Sequence, residues 1–151
     1  VIRFDRAVLE DIARAASAAY PYEGCGALLG ERGHVRVTLP LPNTEKGSPR
    51  VKFEVSPRDY LRTERDADAQ GLRLLGFWHS HPDHPARPSA TDRACAWEGL
   101  LTVIVSVEDG RARDIGAWEI RGRELPFELV EIESPGFSGE LVATLWKEGE
   151  T

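Results

Sequence analysis

Apolar positions along the chain fall into short blocks that switch between helical and strand periods. Ile2 to Phe4 reads as a short strand, and the following block places Val8, Leu9, Ile12, Ala13, Ala16 and Ala19 on one helical stripe. Asp5 stands where an N-cap is expected and Pro21 where the helix must stop. Cys25 to Gly30 is a compact apolar run, and His34 to Leu41 sets Val35, Val37 and Leu39 against more polar neighbours, so the two predict paired strands. Pro42 to Arg50 is rich in turn-forming residues and predicts a loop, and Val51 to Val55 predicts a further strand. Ser56-Pro57 supplies an N-cap with proline at the first helical position, opening a charged helix that Gly71 closes. Leu72 to His81 predicts a strand and Ser89 the start of another helix. Leu101 to Val107 predicts a buried β-branched strand, Ile115 to Ile120 its continuation after a Glu-Asp-Gly turn, and Leu125 to Ile132 a last strand. Helices interspersed with strands indicate an α/β or α+β fold, a central sheet flanked by helices. Periodicity leaves the strand order open.

A length of 151 residues suits one ordinary domain. The expected organisation is a domain over 1–133 followed by a tail over 134–151, which opens Ser-Pro-Gly-Phe-Ser-Gly and carries an apolar patch from Leu141 to Trp146 that docks or stays free. No apolar run approaches the roughly 18 to 20 residues needed to cross a bilayer, and the N-terminus has no export-signal pattern, so a soluble, cytoplasmic protein is expected. Two cysteines, Cys25 and Cys95, make no disulfide framework and predict reduced, buried thiols. A formal charge of -6 with no basic run argues against nucleic acid and for a protein or peptide partner. The chain has no Met, a lone Asn (Asn43) and a lone Gln (Gln70), which fits either a heat-adapted origin or a biased genome composition.

The stretch that carries chemistry runs Gly76-Phe77-Trp78-His79-Ser80-His81-Pro82 and on through Pro88-Ser89 to Asp92. Alternate side chains of a strand share a face, so His79 and His81 emerge together while Trp78 and Ser80 point the other way. Pro82 and Pro85 oppose further pairing, and Pro88-Ser89 restarts a helix whose first turn can swing Asp92 back beside the imidazoles. Two imidazoles and a carboxylate suit Zn²⁺, and three protein ligands leave a fourth position for water, as catalytic zinc sites do. Each residue alone has a plainer reading: a solvated strand-end His-x-His, or an Asp92 that merely completes a capping box with Ser89. Chance assembly of both histidines with Pro82, Pro88, Ser89 and Asp92 is on the order of one in a million, which favours the metal reading. A nearby carboxylate is then needed to accept and return a proton, and Glu23 is the candidate.

These residues resemble a known family. His-x-His-Pro, five residues, Pro-Ser, two residues, Asp is similar to the JAMM (MPN-plus) metalloprotease signature, with Gly76-Phe77-Trp78 like its usual lead-in, and Pro21 to Gly30 resembles that family's glutamate motif. The resemblance covers roughly residues 2 to 121 and points to the compact prokaryotic type. It implies a cytidine-deaminase-like JAMM/MPN fold around a mixed sheet, with 1–133 as the metalloprotease domain. It implies zinc on His79, His81 and Asp92, Glu23 as general acid/base, and Ser89 helping to hold the oxyanion. It further implies hydrolysis of the peptide or isopeptide bond after the Gly-Gly tail of a ubiquitin-like or sulfur-carrier protein. A non-catalytic scaffold, a DNA-repair-associated branch and a zinc hydrolase of an unrelated small amide are the rival readings. Cys25 follows Glu23 but begins an apolar strand with no histidine paired to it in sequence, so a buried structural thiol is expected. His84 is expected to be a solvated loop residue, and Trp78 and Trp97 core aromatics.

Overall fold

In the computed structural model, which describes residues 1–122 and 125–134, the elements run in chain order as follows. They are β1 (Ile2–Phe4), α1 (Arg6–Ala19), β2 (Cys25–Glu31), β3 (His34–Leu41), α2 (Pro57–Ala69), β4 (Arg73–Pro82), α3 (Ala90–Cys95), β5 (Leu101–Glu108), β6 (Arg111–Glu119), β7 (Glu128–Val130) and β8 (Ile132–Glu133). The strands form one eight-stranded mixed sheet in the order β7-β6-β5-β4-β2-β3-β1-β8. β2 runs antiparallel to both β3 and β4, whereas β4 and β5 are parallel, so the crossover between them carries α3 to the end of β4 where His79 and His81 lie. The expected central sheet flanked by helices is present.

Neighbouring side chains of β4 divide the core in two. Trp78 faces the cluster built on α1, where Val8, Leu9, Ile12 and Ala16 pack against Val103, Val105 and Val107. Phe77 faces the other cluster, with Cys25, Ala27, Leu29 and Ala67 of α2, and is flanked by Trp97 at 4.7 Å between ring centroids. The helices therefore cover opposite faces of the sheet, as alternation along a strand requires. Gly26 sits where Trp78 crosses β2: a Cβ there would press on the indole Nε1 and lie 2.8 Å from the Leu39 carbonyl. The indole instead donates to Thr38 Oγ1 at 3.0 Å, and that hydroxyl donates to the Ala27 carbonyl at 2.9 Å, so the buried polar atoms are matched.

Four sequence expectations need correction. Val51 to Val55 is not a strand: Thr44 donates to the Glu54 carbonyl, and the Asn43 side chain meets Lys52 and Glu54, so a side chain replaces a partner strand. The final strand, expected from Leu125 to Ile132, is two short ones. β7 pairs with β6 at one edge and β8 with β1 at the other, separated by Glu131 alone. One chain segment thus touches both edges, which requires the sheet to curl around α1. Asp5 occupies the N-cap of α1 with no side-chain cap bond, because its carboxylate meets His34 Nε2 at 2.6 Å. Cys25 is a buried free thiol as expected, but Cys95 is exposed at the end of α3. Of the expected tail, residues 135–151 lie outside the described residues. Among the described residues, no helix is long and apolar enough to cross a membrane.

Candidate metal centre

His79 and His81 share a face at the end of β4, both buried, with the flat face of Phe53 stacked on His79 at 4.4 Å and 17°. The third member arrives from α3. Ser89 caps this helix, its Oγ accepting from the Asp92 amide at 3.1 Å while its own amide donates to Asp92 Oδ2 at 2.8 Å. That capping box aims the Asp92 carboxylate at the imidazoles, Oδ1 lying 2.9 Å from His79 Nε2 and Oδ2 3.0 Å from His81 Nε2. The capping role and the ligand-like placement are therefore one arrangement, not rivals. Ser89 is exposed, and with Oγ accepting from the helix its hydroxyl hydrogen stays available to a group outside.

The two imidazole Nε2 atoms are 3.2 Å apart. A tetrahedral zinc site with arms of about 2.0–2.1 Å places neighbouring ligand atoms roughly 3.3 Å apart, so the three donor atoms stand close to that spacing. His81 Nδ1 donates to the Pro85 carbonyl at 2.8 Å, which in a neutral ring leaves Nε2 as a bare lone pair aimed at His79 and Asp92. Lone pairs converging with a carboxylate repel one another unless a cation lies among them. Burial lowers the His79 pKa and favours the neutral, ligating ring. For His81 burial also pulls downward, but the bonds to Asp92 and Pro85 outweigh it and the net direction is up. Burial would raise the Asp92 pKa, yet in the metal-free protein, where the rings can take up protons, hydrogen bonds from His79 and His81 hold it well below the usual carboxylate range. Among the described residues, His79, His81 and Asp92 are the group of side chains placed to hold a metal ion, and the donor set fits zinc.

Glu23 reaches the same place from the chain just ahead of β2. Cys25 pairs with His79 in register, and Gly24 continues the ladder by accepting from the Ser80 amide at 3.0 Å and donating to Ser80 Oγ at 2.8 Å. One step further along the antiparallel register, Glu23 lies across from His81. It is buried, and its Oε1 has no hydrogen-bond partner. An orphaned carboxylate oxygen beside a metal-type donor set fits a site that takes a water between the two. Burial pushes its pKa up to about 8, His81 opposing and Asp92 adding to the shift. Cys25, pushed up to about 12 mainly by burial, points its thiol at the Leu41 and Pro42 carbonyls and is no nucleophile.

The turn after His81 is pinned from three sides. Asp83 takes a left-handed φ of 56°, its carboxylate accepting from the Tyr20 hydroxyl at 2.6 Å and the Asp109 amide at 3.2 Å, while its own amide donates to the Val107 carbonyl. His84 is exposed, with its carbonyl accepting from Ser106 Oγ. Trp78 is a core aromatic, and Trp97 a half-buried one packed on the second cluster. Sequence reasoning missed Phe53, Ser80 and Asn43. Phe53 lay in a stretch read as strand, Ser80 on the face away from the histidines, and Asn43 stood out only as the chain's lone asparagine.

Residues 5–121 match the family described as prokaryotic homologs of the JAB domain. A desampylase of Haloferax volcanii is 35% identical over 106 residues, covering 69% of this chain and 76% of that one. A probable TtuB-protein conjugate cleaving protease of Thermus thermophilus is 36% identical over 112 residues, covering 74% of each. The solution structure of a Desulfitobacterium hafniense protein superposes with a TM-score of 0.78 at 31% identity, covering 89% of this chain and 92% of that one. With the fold, the site and most of the chain's length in agreement, this protein belongs to the Prok-JAB family, the compact prokaryotic branch of the JAMM/MPN proteins.

Proposed function

We propose that the chain is a zinc-dependent isopeptidase that hydrolyses the peptide or isopeptide bond following the C-terminal Gly-Gly of a ubiquitin-like or sulfur-carrier protein, with 1–133 as its working unit. The observation that carries this reading is the convergence of His79, His81 and Asp92 within 3.2 Å contacts, facing a buried glutamate whose oxygen lacks a partner. Similarity to a desampylase and to a probable TtuB-protein conjugate cleaving protease supports this substrate class. In this reading His79, His81 and Asp92 hold the metal; when bound, zinc supplies Lewis acidity and lowers the pKa of water to about 7. Glu23 takes the proton from the attacking water and returns it to the departing amine, a role open to a buried carboxylate with one oxygen free of any partner. Ser89 offers its free hydroxyl hydrogen to the oxyanion, while its lone pair caps α3. The intact donor set argues against a non-catalytic scaffold.

The test is incubation with ubiquitin-like fusions ending in Gly-Gly before a lysine-linked or short C-terminal extension, with and without chelator, read by intact mass. Cleavage at that glycine that stops on chelation and returns with Zn²⁺ is expected. Chelator-insensitive cutting, or a purified protein holding no metal, would overturn the reading.

A further inference from the structure

The side chain of Asn43 uses its full hydrogen-bonding capacity, two donors and two acceptor positions. Its Nδ2 donates to the Glu23 carbonyl and to the Lys52 carbonyl, each at 3.0 Å. Its Oδ1 accepts from the Glu45 amide at 3.0 Å and the Glu54 amide at 3.1 Å. Turning the amide over would set donors against donors and acceptors against acceptors, so its orientation is fixed by its neighbours. Three stretches of chain meet on this one residue: the loop leaving β3, the backbone of Glu23 before β2, and the stretch that brackets Phe53. Phe53 lies between the two residues that Asn43 holds, Lys52 and Glu54, and its ring is the one stacked on His79. The Glu23 amide is fixed separately by the Pro49 carbonyl at 2.8 Å, from the same loop. No other side-chain type reproduces this pattern. Aspartate would turn an oxygen toward two carbonyls, and glutamine would carry the amide one methylene too far.

We propose that Asn43 is a positioning residue for the reaction, setting the backbone beneath Glu23. This rests on the reading of Glu23 as the proton carrier. Asn43 touches no reacting atom. Its loss therefore slows the chemical step without weakening substrate capture, because a displacement of about 1 Å at a proton carrier can cost roughly 10²-fold.

The experiment places Asn43→Asp and Asn43→Ala in the full chain, each alone and combined with Glu23→Gln, and measures turnover with zinc and amide exchange without it. Asn43→Asp is isosteric and guards against a folding failure of the alanine variant. Both single variants should lower kcat about 10- to 100-fold with KM within about threefold, and neither should slow Glu23→Gln further. In the metal-free protein, the Glu45 and Glu54 amides should exchange at least about 10-fold faster in Asn43→Ala and near the native rate in Asn43→Asp, which keeps the accepting oxygen. Turnover within about twofold of the parent in both variants, or the same fold-loss in the Glu23→Gln background, overturns the proposal. So does unchanged exchange in Asn43→Ala. Normal turnover by Glu23→Gln alone would instead remove the proton-carrier reading on which the proposal rests, an outcome distinguishable from failure of the Asn43 variants beside a slow Glu23→Gln.

Discussion

At the scale of single residues, Glu23 has the sharpest consequences, because burial without a partner makes its charge expensive. With its pKa at about 8 in the fold against an ordinary 4.5, the carboxyl is protonated in both states below the lower value. Between the two values the unfolded chain releases the proton while the folded chain retains it, so stability falls as pH rises through that window. Glu23→Gln removes this penalty. In chelator-treated protein the variant should match the parent near pH 4 and exceed it at pH 8.5 by about 1 to 4 kcal/mol, measured by urea unfolding at both pH values. Zinc should shrink the difference, since a nearby cation favours the ionised carboxylate. The same variant should keep its metal yet lose roughly 10² to 10⁴ in turnover, the range expected when proton transfer is removed and coordination left alone. A parent that is as stable at pH 8.5 as its glutamine variant would mean that Glu23 is ionised and solvated in the fold.

At the scale of elements, α3 shows how much of the site was legible from local signals. Pro88-Ser89 announces a helix start and Asp92 falls at its third position, so the element that aims the carboxylate is written in five consecutive residues. The pairing of His79 with His81 follows likewise from strand alternation. Glu23 was legible only weakly until the resemblance supported it, because its place opposite His81 depends on the register of β2 against β4. Phe53 and Asn43 were hidden for the same reason. A pattern of Val, Phe and Val looks like a strand, and nothing local reveals that the lone asparagine supplies its hydrogen bonds. The two strands made from Leu125 to Ile132 also escaped, since a sheet that curls onto its own first strand leaves no mark in period or composition. Ser89 serves both the helix and the proposed oxyanion, and variants can separate the two. Ser89→Ala should cost about 0.5 to 2 kcal/mol in thermal or urea unfolding and roughly 10 to 10³ in turnover. Ser89→Asp retains a capping acceptor but has no hydroxyl hydrogen, so it should recover most of the stability and none of the rate. Recovery of both would reduce Ser89 to a helix cap.

At the scale of the whole molecule, the sheet encloses α1 on one face and presents the histidines on the other, at the end of β4 where the chain turns out toward α3. A metal-assisted hydrolase has little intrinsic preference among amides, so selectivity must come from what the approach to Glu23, His79 and His81 admits. The net charge of -6 and the scattered arginines offer no track for a polyanion. An extended peptide presented by a folded carrier can instead dock by its backbone, provided that its side chains are small enough to enter a confined site. Glycine meets that condition, and it lets the scissile carbonyl approach Glu23 and the donor set without a Cβ in the way. Replacing the last glycine of a ubiquitin-like substrate by leucine should therefore lower kcat/KM by at least about 100-fold, chiefly through misalignment of the carbonyl. Unfolded peptides bearing the same Gly-Gly sequence should be cut more slowly than the folded carrier, since they lack the surface that delivers the tail. The measurement is a time course by intact mass on matched glycine, leucine and peptide substrates. Equal rates for glycine and leucine would leave no role for a confined approach, and equal rates for carrier and peptide would shift the reading toward hydrolysis of small amides.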